Sequence, residues 1–146
     1  MRAMLHFDML RLFGPVYMNN PENECIPYYL HQSPNVNDLL PANKIMEYVI
    51  HDLQEAEKAL ANDPIITKGT LMESAGNESN FLRYRALRMN YYAVQGLMAR
   101  VYLYAGDKTN IHLRQKVISA AVGHILSRKE RKPRVTGFSR QRSYSP

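Results

Sequence analysis

At 146 residues with 45% apolar side chains, the chain is long enough to bury one core and suits a single domain. One cysteine and five scattered histidines exclude a disulfide framework and a dense metal cluster. The net charge of +6 is local: Arg128, Lys129, Arg131, Lys132, Arg134, Arg140 and Arg142 are offset only by Glu130, and the rest of the chain is neutral.

Arg2 to Phe13 predicts a first helix, with Ala3, Phe7, Leu10 and Phe13 on one stripe at helical spacing. Gly14-Pro15 ends it, since Gly can take the left-handed cap conformation and Pro cannot continue the helix. From Pro15 to Pro41 there is no clear periodicity, and Pro21, Pro27, Pro34 and Pro41 punctuate a polar, Asn-rich stretch. A loop of that length is expected to be functional or draped over another element. Tyr17, Asn19, Asn20, Tyr28 and Tyr29 gather in it. Flat aromatic faces suit the C–H side of a pyranose while Asn fixes hydroxyls, and binding residues concentrate on loops held by a scaffold. Tyr17, Asn19, Tyr28 and Tyr29 are therefore the candidate ligand contacts. The competing expectation is that these tyrosines pack onto the helices.

A second helix is expected from near Asn43, as N-cap, to about Leu60, with Ile45, Met46, Val49, Leu53, Ala56 and Leu60 on its buried stripe. Asp63-Pro64 closes it, and a second loop runs to about Asn80. A third helix is expected over Phe81 to Ala105, with an irregularity near Arg85–Arg88. From Arg88 onward it is apolar on nearly every face, which predicts burial on more than one side. Ala93, Gly96 and Ala99 would let a neighbouring helix approach, and Leu97, Val101, Tyr102 and Tyr104 would fill the gaps. Arg88, Asn90, Gln95 and Arg100 interrupt the run, and a mid-helix Arg costs about 2.5–3.5 kcal/mol on insertion scales, so it is not a membrane span. Gly106-Asp107 makes a tight turn into a fourth helix, Asn110 to Leu126.

Met9 to Gly14 echoes Ala99 to Gly106, each ending the first helix of a pair. The fold class expected is all-α, built of tetratricopeptide-like helical hairpins with long loop insertions. Two hairpins are marginal for a continuous repeat core, so the chain reads as a fragment of a larger α superhelical domain. An isolated end helix would then expose a large apolar patch. Residues 1–126 form the helical-repeat segment, and 127–146 are expected to be a basic, disordered or non-native arm, with a shifted reading frame as the preferred origin. No charged-then-apolar leader opens the chain, and Cys25 follows Glu22-Asn23-Glu24 rather than such a leader. Cys25 is accordingly read as a free thiol and not a lipid anchor.

The chain contains no His-Glu-x-x-His, no Gly-x-Ser-x-Gly, no phosphate-cradling glycine loop and no Cys-x-x-Cys. Asp52 and Glu55 share a helix face, and His6 and His51 sit on helices, but each is expected to be an ordinary surface or packing residue. No catalytic residue, metal ligand or cofactor is assigned. The expected class is a recognition scaffold and not an enzyme.

Four ordered segments carry a family resemblance over roughly residues 2 to 110. Arg2-Ala3-Met4-Leu5-His6-Phe7-Asp8-Met9-Leu10-Arg11-Leu12-Phe13-Gly14 is the first, and Cys25-Ile26-Pro27-Tyr28-Tyr29 is the second, with Cys where Gly is usual. Pro41-Ala42 through Glu47, His51-Asp52-Leu53, Ala56 and Leu60 is the third. Arg88 to Ala93, followed by Leu97 to Asp107, is the fourth. Together they resemble SusD/RagB-like proteins, outer-membrane nutrient-binding lipoproteins of Bacteroidetes. The resemblance implies a non-catalytic part in capturing oligosaccharides or other nutrients, beside a TonB-dependent (SusC-like) transporter at the cell outer membrane. Scaffold and docking helices would come from this chain. Gly14, Asp52, Arg100, Tyr102, Gly106 and Asp107 fall on the matched segments and are expected to be structural. The resemblance weakens at Ile111-His112 and stops at the basic arm. The alternative is a stand-alone helical-repeat adaptor whose arm binds nucleic acid through phosphate contacts; a nucleic-acid partner is expected only if that arm is genuine.

Overall fold

The structure, a computed structural model, describes residues 1–68 and 87–130. Expectations that fall elsewhere lie outside the described residues: most of the second loop, the third helix before Leu87, and the arm beyond Glu130. The described residues are mostly helical, in the order α1 (Arg2–Phe13), β1 (Glu24–Ile26), β2 (Leu40–Pro41), α2 (Ala42–Ala59), α3 (Pro64–Lys68), α4 (Tyr91–Ala105) and α5 (Lys108–Glu130).

α2 is central, packed against α1 on one side and α4 on another, while α5 folds back along α4. The core follows the periodic stripes. Ala3, Phe7 and Leu10 of α1 meet Ile45, Met46, Val49 and Leu53 of α2, and Val94, Leu97, Met98, Val101 and Tyr102 of α4 complete the cluster. Phe13, the last residue of its expected stripe, is exposed instead, because α1 ends there and nothing described covers it. Leu60 has the same excuse at the end of α2, and is half-buried against the core.

Helix ends differ from expectation in instructive ways. Gly14 is extended (φ −81°, ψ 169°) rather than left-handed, so its value lies elsewhere. A Cβ there would run into the Leu10 carbonyl oxygen and side chain. Gly106 is left-handed (φ 76°) and returns its N–H to the end of α4, as a helix stop of this kind does. Asn43 is not the cap of α2. Pro41 holds that position, and the N–H groups of Ala42 and Asn43 donate to Asn23 O (3.2 Å) and Pro21 O (2.8 Å). Asn43 Oδ1 takes the next N–H, that of Lys44, at 2.7 Å. The first loop therefore caps α2, and the antiparallel pairing of β1 with β2 fastens its middle to its C-terminal end.

Among the described residues the expected third helix is interrupted at 87–90, and α4 begins at Tyr91. Asn90 caps it, its Oδ1 accepting from Ala93 N at 2.9 Å. Buried Asp63 stands before α3, where Pro64 occupies the first helical position. One Asp63 carboxylate oxygen accepts from Ile65 N and the other from Tyr91 N, both at 3.2 Å, so it ties the start of α3 to that of α4. Gly96 shows no close approach among the described residues: a Cβ there would meet none of them within 4 Å. α5 starts two residues before the expected Asn110 and runs four past Leu126.

Candidate functional site

The densest polar arrangement joins the first loop to α1 and α2. Asp52, on α2, receives Arg2 through both Nε and Nη2, the latter at 2.6 Å. Arg2 Nη1 donates to Leu30 O at 2.6 Å, and Tyr28 OH donates to Asp52 Oδ2 at 2.8 Å. The Arg2 hydrogen bonds hold the Asp52 carboxyl below the usual carboxylate range, against an opposing push from burial. Tyr28 moves the other way, pushed up by burial and then by its bond to Asp52. His6 packs on Tyr28 with ring centroids 4.1 Å apart, and Tyr48 stacks on Tyr28 at 5.2 Å. Asn37 Nδ2 donates to Tyr28 O at 3.1 Å, which fixes the far side of the loop. Beside this junction, Met1, Ala3, Leu53, Ala56, Leu60, Met89, Val94 and Leu97 line an apolar cleft of about 220 Å³ with Arg2 and Asp52 at its edge.

The four candidate ligand residues separate into two groups. Tyr28 is only 3% exposed, and its hydroxyl is committed to Asp52. It is a packing residue, with no open ring face for a sugar. Tyr29 is 38% exposed, with its N–H donated to His6 Nε2 at 3.1 Å. Tyr17 lies against Tyr104 (5.6 Å between centroids), whose ring meets Phe7 edge-on at 5.5 Å. Burial raises the Tyr17 pKa, with Glu47 a further cause. Asn19 is exposed on a turn whose N–H donates to Val16 O. Tyr17 and Asn19 thus sit near the α4–α5 turn, where Met18 touches Gly106, and Tyr28 and Tyr29 sit near the start of α1. The structure gives no contact between the groups.

Of the residues expected to be structural, Asp52, Tyr102, Gly106 and Asp107 are tied into the frame. Asp107 caps α5 through Asn110 N (3.1 Å) and Asn110 Nδ2 (2.6 Å). Arg100 is exposed and only 4.0 Å from Asp8, a weak pair. Sequence reasoning passed over Glu57, Gln95 and Arg114. Glu57 Oε1 accepts from Gln95 Nε2 at 2.7 Å and from Arg114 Nη1, which also donates to Gln95 Oε1 at 2.9 Å. Gln95 is 0% exposed; a polar residue inside an apolar helical run was the signal for this network. No family model matches the chain, and no curated protein matches it.

Among the described residues, no helix is long and apolar enough to cross a membrane. The arrangement can fix a loop, present Tyr29 and Asn19 to solvent, and hold three helices together by hydrogen bonds.

Proposed function

We propose that the chain is part of a SusD/RagB-like nutrient-binding protein. Its helices form two tetratricopeptide-like hairpins, α1 with α2 and α4 with α5, belonging to a larger superhelical domain. In this reading the protein captures oligosaccharides or other nutrients at the outer membrane without catalysis, beside a TonB-dependent transporter. The chain contributes scaffold and docking helices, and the exposed loop residues Asn19 and Tyr29 contribute ligand contacts.

One observation carries the reading. The segments that resemble the family are far apart in sequence, yet their polar residues bond to one another. Arg2 and His6 of the first segment meet Tyr28 and Tyr29 of the second and Asp52 of the third. The fourth packs its Val94, Leu97 and Met98 into the same core. A coincidental set of matches has no reason to converge. The outward face of α1 adds support, for Leu5, Met9, Leu12 and Phe13 are all exposed, as a helix taken from a longer stack would be.

The test is calorimetric titration of the full-length gene product with a panel of neutral oligosaccharides, alongside co-purification with the neighbouring transporter. Saturable glycan binding that weakens about tenfold or more in Tyr29→Ala is the expected result. Binding of RNA instead, salt-dependent and lost on deleting residues 128–146, would overturn it in favour of the adaptor reading.

A further inference from the structure

Both ring nitrogens of His6 are committed at the loop junction, and their partners dictate its protonation. Nδ1 lies 3.0 Å from Arg2 O, a carbonyl that can only accept, so Nδ1 carries the proton. Nε2 lies 3.1 Å from Tyr29 N, whose N–H can only donate, so Nε2 presents its lone pair. The arrangement fits one tautomer of the neutral imidazole and no other charge state. Protonated at both nitrogens, the ring would set N–H against N–H at Tyr29. It would also add positive charge beside Arg2, whose guanidinium holds the next carbonyl, that of Leu30.

We propose that His6 is a proton-operated latch on the first loop: the neutral ring holds Tyr29 against α1, and uptake of a second proton frees it. The groups that surround the latch come from each element packed there. They are Arg2 on α1 and Tyr28 and Tyr29 on the loop, with Tyr48 and Asp52 of α2 behind Tyr28 and His51 acting on Asp52. Asp52 is engaged by Arg2 and Tyr28 and stays where it is when His6 titrates. Tyr28 keeps its hydroxyl bond, so the response is confined to Tyr29 and the residues just after it. The latch requires nothing of what the loop binds and stands apart from the nutrient-binding reading.

Amide hydrogen exchange at Tyr29, followed by NMR in the full chain, tests it. Protection at Tyr29 should fall about tenfold or more between about pH 7.5 and about pH 5, beyond the intrinsic pH dependence of exchange. Its midpoint should coincide with the titration of the His6 ring protons. His6→Gln supplies a carbonyl acceptor that does not titrate and should flatten the profile, at whatever level of protection it retains. Protection in the wild type that ignores pH, or that follows His31 or His51, overturns the latch. A fall of equal size in His6→Gln does so too. If that variant does not fold, the wild-type midpoints decide alone.

Discussion

Asp52 concentrates more of the loop's attachment than any other side chain described, because it accepts from two chain-distant donors at once. Truncating it to Ala leaves the Tyr28 hydroxyl buried without its acceptor and Arg2 without its counter-charge. A loss of about 2–3 kcal/mol is expected, read from urea unfolding monitored by tyrosine fluorescence. Loss under about 0.5 kcal/mol would mean that water replaces both bonds without cost. The pH dependence has a definite sign. The folded-state pKa lies below the unfolded value of about 3.9, chiefly because of Arg2. This contribution is therefore fully present above the unfolded value and fades as pH falls through the folded one. Asp52→Asn should be less stable than wild type near neutrality, and the two should converge in acid. Parallel curves down to the lowest pH would count against the assignment. Neighbouring tyrosines illustrate how little sequence says here. Tyr28 and Tyr29 are adjacent and chemically identical, and partners distant in the chain, Asp52, Tyr48 and His6, bury the first and leave the second exposed.

Individual elements were legible where a periodic stripe was long enough to repeat. α1 spans the expected Arg2–Phe13, and α2 runs Ala42–Ala59 against an expected start near Asn43 and an end about Leu60. α3 is five residues long, too short for periodicity, although Asp63-Pro64 is a start signal of the right chemistry. β1 and β2 are shorter still, and their pairing closes a loop that carries no local pattern. An irregularity was expected near Arg85–Arg88, but a fresh start at Tyr91 was not, because Arg88 and Met89 are good helix formers. Asn90 competes with them as a cap only once Asp63 arrives to take the Tyr91 N–H. The turn at Gly106-Asp107 was readable, though not the start of α5 directly after it at Lys108, and it offers a direct test. With φ at 76°, Gly106→Ala forces an L residue into the left-handed region, which costs about 1–2 kcal/mol. Its new Cβ would also sit 3.2 Å from the Met18 sulfur. Thermal unfolding should show the loss, with Gly106→Asn retaining part of the stability, since Asn tolerates this conformation better. Equal stability of the Ala and Asn variants would show that the turn has changed conformation.

Across the described molecule, α2 packs against both α1 and α4, and α5 is tied to it by side chains. The 23-residue α5 lies along the 15-residue α4, and a hydrogen bond from Arg114 ties it to Glu57 of α2, with buried Gln95 bonded to both. Such a pair is not automatically stabilising, because removing two charges from water costs several kcal/mol before their attraction offsets it. Arg114 carries part of that cost visibly: its Nε is buried without a hydrogen-bond partner among the described residues. Breaking the pair from one side should nevertheless be worse than removing both partners. Arg114→Met strands the Gln95 carbonyl oxygen and leaves Glu57 with one donor, and Glu57→Met leaves the Arg114 charge without its carboxylate and Gln95 Nε2 without its acceptor. Each should cost about 1–3 kcal/mol. The double variant should cost less than the sum of the two by about 0.5–3 kcal/mol, a coupling that a double-mutant cycle in urea measures directly. Hydrogen exchange supplies the spatial half of the argument. If the network is what fastens α5 to the rest, Arg114→Met should loosen the amides of α5 before those of α1 and α2. Additive single losses, with protection falling evenly over all four long helices, would instead make the contact between α4 and α5 sufficient and the network dispensable.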